Sequence, residues 1–148
     1  MNQLNIDTGV EEFSINGKGV LRFNPSDPNL YHRFFALGQD LAELDRELSQ
    51  RAAALPQEDA RAGFALLADY DRRIKALLGE VFGPENDFDA ALEGVNLAGV
   101  AGNGKRVVQN LLEALTPVLE AGARRHLESR ADQAVAQADA ARAARAPA

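Results

Sequence analysis

Leu30, Phe34, Leu37, Leu41, Leu44 and Leu48 follow one another at spacings of four and three, with Leu55 one heptad further on. Such a seam runs down one side of an α-helix and must be buried along its length. The chain is thereby committed to packing a long helix against other helices. Asp27 suits the N-cap and Pro28 the first helical position, where a missing N–H costs nothing. The helix is expected to start there and end before Pro56. Tyr31 and Phe35 broaden its apolar face beyond a narrow coiled-coil stripe.

A second helix is predicted to open at Pro56-Gln57-Glu58-Asp59, whose acidic residues suit the positive end of the helix dipole. Phe64, Leu67, Tyr70, Ile74, Leu77 and Val81 form its expected apolar face, and Gly83-Pro84 stops it. The short link between the two helices predicts an antiparallel helical hairpin. Pairing of the seam between chains is the alternative. Residues 84–104 are looser, with Asn86 or Asp87 able to start a short helix through Leu92 and four glycines between Gly94 and Gly104. A third helix is expected from about Lys105, with Val108, Leu111, Leu112, Leu115, Val118 and Leu119 apolar. Pro117 predicts a kink or break near Ala114 to Thr116.

The first 24 residues read as strand, because Leu4 and Ile6, Phe13 and Ile15, and Leu21 and Phe23 alternate with polar neighbours. Asn16-Gly17 suits a tight hairpin turn. A lone hairpin is marginal in water, so its apolar face should rest on the helices. After Arg130, ten of 18 residues are alanine, a composition that favours helix and buries almost nothing. The expected fold is mainly α, with an N-terminal β-hairpin, an antiparallel helical hairpin and a long, Pro-kinked C-terminal helix. Residues 1–130 form one α+β helical domain, with the hairpin in 1–24 and the helices in 28–130; 131–148 are a helical or disordered Ala-rich tail.

Composition narrows the functional classes. At 148 residues the chain is long enough to bury about 70% of its unfolded surface. It has no cysteine, which excludes disulfides, thiolate metal sites and cysteine nucleophiles. A net charge of −6 disfavours phosphate backbones as partners. Neither a signal peptide nor a membrane span is apparent, so a soluble, cytoplasmic protein is expected, with no nucleic-acid or membrane partner.

Residues 99–106, Gly-Val-Ala-Gly-Asn-Gly-Lys-Arg, come close to a phosphate-binding loop, with Gly99, four residues, then Gly104-Lys105. Such a loop needs a Ser or Thr after the lysine to hold magnesium and a buried strand before it. Arg106 occupies the hydroxyl position, and Leu92 to Leu97 makes a poor strand. Asn103 capping the third helix, with glycines turning into it, is the expected reading instead.

His32 and His126 have no ligand-spaced partner, and Asp87, Asp89 and Glu93 do not fit a calcium loop. Arg124, Arg125, Arg130, Arg142 and Arg145 are interspersed with Glu128, Asp132 and Asp139, without aromatics to stack on bases. No catalytic residue, cofactor or metal is therefore expected.

The order of segments resembles a known family. "LNIDTGVEEFSINGKGVLRFNPSDPNLYHRFFAL", Phe82-Gly83 and "NLLEALTPVLEAG" (residues 110–122) are similar to tail assembly chaperones of long-tailed bacteriophages, across about residues 3–127. The Gly-rich link at 94–104 departs from the usual family pattern. The resemblance implies a non-enzymatic protein in the host bacterial cytoplasm that binds the tape-measure protein before the tail tube polymerises around it. A structural tail component, or a helical adaptor retained in the particle, is the alternative. A long, apolar, helical client suits helix-in-groove packing, and an open hairpin edge would let copies associate. Leu111, Leu112, Leu115, Val118 and Leu119 are the expected partner-binding residues, on the argument that Pro117 loosens the packing there. The competing reading places these five in the core.

Overall fold

A computed structural model describes residues 1–145. Strands β1 (Glu11–Ile15) and β2 (Gly19–Phe23) form an antiparallel hairpin with Glu11 opposite Phe23 and Ile15 opposite Gly19. Four helices follow: α1 (Pro28–Ala53), α2 (Ala60–Phe82), α3 (Phe88–Ala91) and α4 (Val107–Arg145). The mainly helical fold with an N-terminal hairpin and a long last helix is as the sequence predicts. The strand reading of the first ten residues is not: they form no ladder, and Leu4 and Ile6 are exposed.

Asn16 and Gly17 both take positive φ in the turn, as its sequence requires. The alternation in β2 buries Leu21 and Phe23 and exposes Val20 and Arg22. Asp27 caps α1 by accepting from the Asn29 N–H at 3.0 Å, and Asp59 caps α2 from Ala62 at 3.0 Å. The α1 seam is buried at Leu30, Leu37, Leu41, Leu44 and Leu48, chiefly against α2. On α2 the buried row is Leu66, Tyr70, Ile74, Leu78, Val81 and Phe82, whereas Leu67 and Leu77 are half-buried and Phe64 is 70% exposed. The expected face was thus rotated by part of a turn, because a sequence rich in leucine allows several overlapping stripes.

Aromatic rings fill the junction of hairpin and helices. Phe13 stacks on Phe23 with centroids 4.4 Å apart, and Phe82 meets Phe23, Phe88 and Phe34 edge-on or tilted at 5.0, 5.5 and 6.2 Å. Asn86 is the buried polar residue of this region. Its Oδ1 accepts from the Arg22 N–H at 2.7 Å, and its Nδ2 donates to the carbonyls of Arg22 and Phe82, each at 2.8 Å. One side chain therefore imitates a neighbouring strand along the far edge of β2 and ties it to the end of α2.

Lys75 makes a second polar tie. Its Nζ lies 2.9 Å from Asp71 and 2.5 Å from Asp89, joining α2 to α3, while Asp71 also accepts from the Leu97 N–H at 2.7 Å. Burial, the largest single influence on Lys75, favours the neutral amine. Hydrogen bonds to Asp89 and Asp71 and the charges of both carboxylates together outweigh it and raise its pKa above 10.5.

Helix α4 runs unbroken through Pro117, so the predicted break is absent. Pro117 and Glu113, the residue whose carbonyl loses its helical donor, both lie on the exposed side, where solvent can reach them. Leu111, Leu115 and Leu119 hold the buried side on both flanks of it. The Ala-rich segment continues the same helix, wholly exposed from Leu127 to Arg145; the last three residues of the predicted tail lie outside the described residues. No helix among those described is long and apolar enough to cross a membrane.

Asn86→Ala should destabilise the fold by about 3 kcal/mol, since it leaves one buried and two part-buried backbone groups without their partner, and lower the thermal midpoint by roughly 10 °C. Because the pKa of Lys75 is raised on folding, its contribution is present at neutral pH and lost as pH climbs past its folded value. Denaturant midpoints of wild type and Lys75→Met should therefore converge as pH rises beyond about 10.5.

Candidate functional site

Pro25 and Gly122 position α4. A Cβ on Gly122 would lie 1.9 Å from the Pro25 carbonyl oxygen, so only glycine admits the helix this close to the turn between β2 and α1. Both residues are buried. The approach lays the middle of α4 beside the first turns of α1 and leaves an apolar groove between them.

That groove has a volume of about 200 Å³. Tyr31, Phe34, Phe35 and Gly38 line its α1 side, and Thr116, Leu119 and Glu120 its α4 side. Tyr31 and Phe35 are one turn apart with ring centroids 5.8 Å apart, as i, i+4 neighbours on a helix should be. Phe35 is 68% exposed, and Leu119 at the floor only 1%. Gly38 presents no side chain, so the groove opens along α1 beyond Phe35. The Thr116 hydroxyl is turned inward, donating to the Leu112 carbonyl at 2.7 Å. The result is a shallow aromatic and aliphatic trough with one carboxylate, Glu120, at its rim.

Of the five expected partner-binding residues, Leu111, Leu115 and Leu119 are buried in the core, and Leu112 and Val118 are half-buried. Leu119 floors the groove, and Val118 lines a second depression on the other side of α4. Leu111 and Leu115 lie among the core side chains, so their surfaces are not available to a partner in this conformation. The α1 residues that make most of the trough were not among the five. Their signal was Tyr31 and Phe35, which add apolar surface that the seam does not require.

The loop before α4 is occupied with its own hydrogen bonds. The N–H groups of Val107 and Val108 donate to the carbonyls of Gly99 and Leu97 at 2.9 and 3.0 Å, and those of Ala101 and Gly104 to Lys105 and Ala101. The Gly99 N–H donates to Asn96 Oδ1 at 2.9 Å. Of the amides a phosphate would need, those of Ala101, Gly104 and Lys105 are engaged. Lys105 pairs with Glu113 at 2.9 Å, and Arg106 binds Asp45 and, at 2.8 Å, the Ala98 carbonyl. The expected Asn103 cap is also not formed: α4 begins at Val107, and Asn103 instead accepts from the Lys105 N–H and exchanges hydrogen bonds with Asn110. The cause is the bridge between Val100 and Arg106, which delays the helix by several residues.

His32 is exposed and His126 half-buried, and no cluster of three potential metal ligands occurs among the described residues. On the outer face of the helical hairpin, the Tyr70 hydroxyl and then Arg73 hold the Glu47 carboxyl below its usual range. Arg73 and Arg51 lie over the Tyr70 ring at 4.7 and 5.6 Å. This cluster joins α1 to α2, and Glu47 and Arg73 also line a larger groove of about 440 Å³ with Asp40, Glu43, Leu44, Ala76 and Leu77, more charged at its rim than the trough beside α4.

Compared with known proteins, the chain matches no family model, no curated protein and no solved structure.

If the contact between Gly122 and Pro25 sets the trough, Gly122→Ala should destabilise the protein by 2 kcal/mol or more on the order of an overpacked core. Gly63→Ala, in the interior of α2 where a new Cβ meets nothing within 4 Å, should stabilise it by about 0.5–1 kcal/mol. Denaturant titration of both variants checks the pair.

Proposed function

We propose that this protein is a non-enzymatic assembly chaperone of a long phage tail, and that it holds a helical segment of the tape-measure protein in the trough between α1 and α4. The observation that carries this reading is the Tyr31 and Phe35 pair, left out of the core beside a groove floored by Leu119. Burying an aromatic side chain gains on the order of 2 kcal/mol, so an uncovered Phe35 is stabilisation left for a partner.

A client helix would supply apolar residues at i, i+3 or i+4, and i+7 to the trough. Glu120 at the rim and the acidic charge of the whole chain favour a client whose apolar stripe is flanked by Lys or Arg. The resemblance of residues 3–127 to tail assembly chaperones makes a tape measure the first client to test. It is long and helical, and it exposes apolar stripes until the tube encloses it. Holding it needs binding alone, which agrees with loop 99–106 being bonded to itself.

Co-expression with a phage tape-measure protein should give a complex that purifies through a tag on this chain and keeps the client in solution. Phe35→Asp should lower the yield of captured client about tenfold or more, the loss expected for roughly 1.4 kcal/mol of binding. Because Phe35 is exposed, its thermal midpoint should move by no more than about 2 °C. A client equally soluble without this chain, or a Phe35→Asp variant that captures it as well as wild type, contradicts the reading.

A further inference from the structure

Residues 1–10 precede the hairpin, are exposed throughout and pair with no strand. The Gln3 Nε2 donates to Asn5 Oδ1 at 3.1 Å, so these two side chains lie on one side of the segment. Leu4 and Ile6 alternate with them and are 86% and 76% exposed. The root of the arm is fixed. The Gly9 N–H donates to Asp7 Oδ1 at 2.9 Å, and Asn24 Nδ2 donates to the Thr8 carbonyl at 2.9 Å. Gly9, at φ 77°, packs so closely on Asn24 that a Cβ would come within 2.7 Å of it.

The edge that such an arm would extend is open. Asn86 occupies both backbone groups of Arg22, which therefore point away from β1. By the alternation of an antiparallel ladder, Glu12 opposite Arg22 and Ser14 opposite Val20 point their N–H and C=O groups away from β2. Among the described residues these groups have no backbone partner. Beside this edge, between β1 and α4, lies a groove of about 340 Å³ lined by Phe13, Pro117, Val118 and Ala121, with Arg125 at its end.

We propose that the arm of one copy, residues 2–7, adds as a third strand to β1 of a second copy, with Leu4 and Ile6 entering the groove beside α4. The arm does not reach its own edge, because folding back would need a reversal at Thr8 to Val10, where Thr8 and Gly9 are held against Asn24 on the opposite, β2 side. Length and area fit a second copy. The arm matches the five residues of β1. The six residues as free chain, roughly 0.7 kDa, expose about 1,000 Å². Half of one arm and an equal area on its receiver bury about 1,000 Å², and a reciprocal exchange about twice that, which reaches the roughly 1,200–2,000 Å² of a stable specific interface. The exchange also satisfies an exposed strand edge that would otherwise pair indiscriminately.

The chain lacks cysteine, which makes the test clean. A tagged Leu4→Cys chain is mixed with an untagged Ala121→Cys chain under mild oxidation, and wild type and the double variant Leu4→Asp/Ile6→Asp are sized by light scattering across concentration. The inference expects a mixed disulfide of intermediate mass, dimers or larger assemblies of wild type, and association weakened about 100-fold or more in the double variant. Since both substituted residues are exposed, the variant's thermal midpoint should match that of wild type diluted until it is a single chain. A wild type that stays a single chain to about 0.1 mM, a failure of the mixed disulfide, or an association the double variant retains would each overturn it.

Discussion

The close approach of Gly122 to the Pro25 carbonyl is the constraint on which both grooves beside α4 depend. It is made by a residue without a side chain, in the middle of a helix, where glycine costs about 1 kcal/mol relative to alanine. The return is proximity. With the backbone of α4 against the turn that links β2 to α1, residues 116–121 are flanked by two depressions, one floored by Leu119 and the other lined by Val118. Move α4 outward by the radius of a methyl group and both widen together. The proposed client trough and the proposed strand-addition groove are thus two consequences of one contact, on opposite sides of the same helix.

Asn86 plays the matching part for the hairpin. Two strands are too few to be stable alone, and β2 has only one true strand neighbour. By bonding both backbone groups of Arg22 and the end of α2, Asn86 closes one edge of the sheet, and the β1 edge stays open. The aromatic cluster around Phe82 supplies the burial, and the asparagine supplies the register. A purely apolar side chain at that position would pack but would leave the edge of β2 unsatisfied.

Much of this architecture is legible in the sequence, for identifiable reasons. The α1 seam and its Asp27 cap are local, repetitive signals and correspond closely to the observed helix. The hairpin turn at Asn16-Gly17 is equally local. The face of α2 was harder to read, because Phe64 and Leu67 compete with Leu66 and Leu78 for the same helix and only α1 decides between them. The roles of Asn86 and Gly122 were not legible at all: each depends on a backbone group distant in the chain, and nothing nearby marks it. Of the kink or break that Pro117 predicts, the break is not realised, since Pro117 faces outward while Leu115 and Leu119 hold the buried side. The trough was half visible, in that Tyr31 and Phe35 exceeded what the seam needs, but its α4 wall depends on a tertiary contact. The five residues first assigned to a partner divide accordingly, with Leu119 reaching the trough, Val118 the opposite groove, and Leu111 and Leu115 the core.

The account's central claim is that a preformed trough between α1 and α4 receives a helical client. Hydrogen exchange read by mass spectrometry tests it directly, on the full chain with and without synthetic helical segments tiled along the tape-measure protein. Added protection should concentrate in residues 31–38 and 112–120, with the outer face of the α1–α2 hairpin unchanged. Protection confined to that outer face or to the exposed end of α4, or no protection by any segment, would contradict the account.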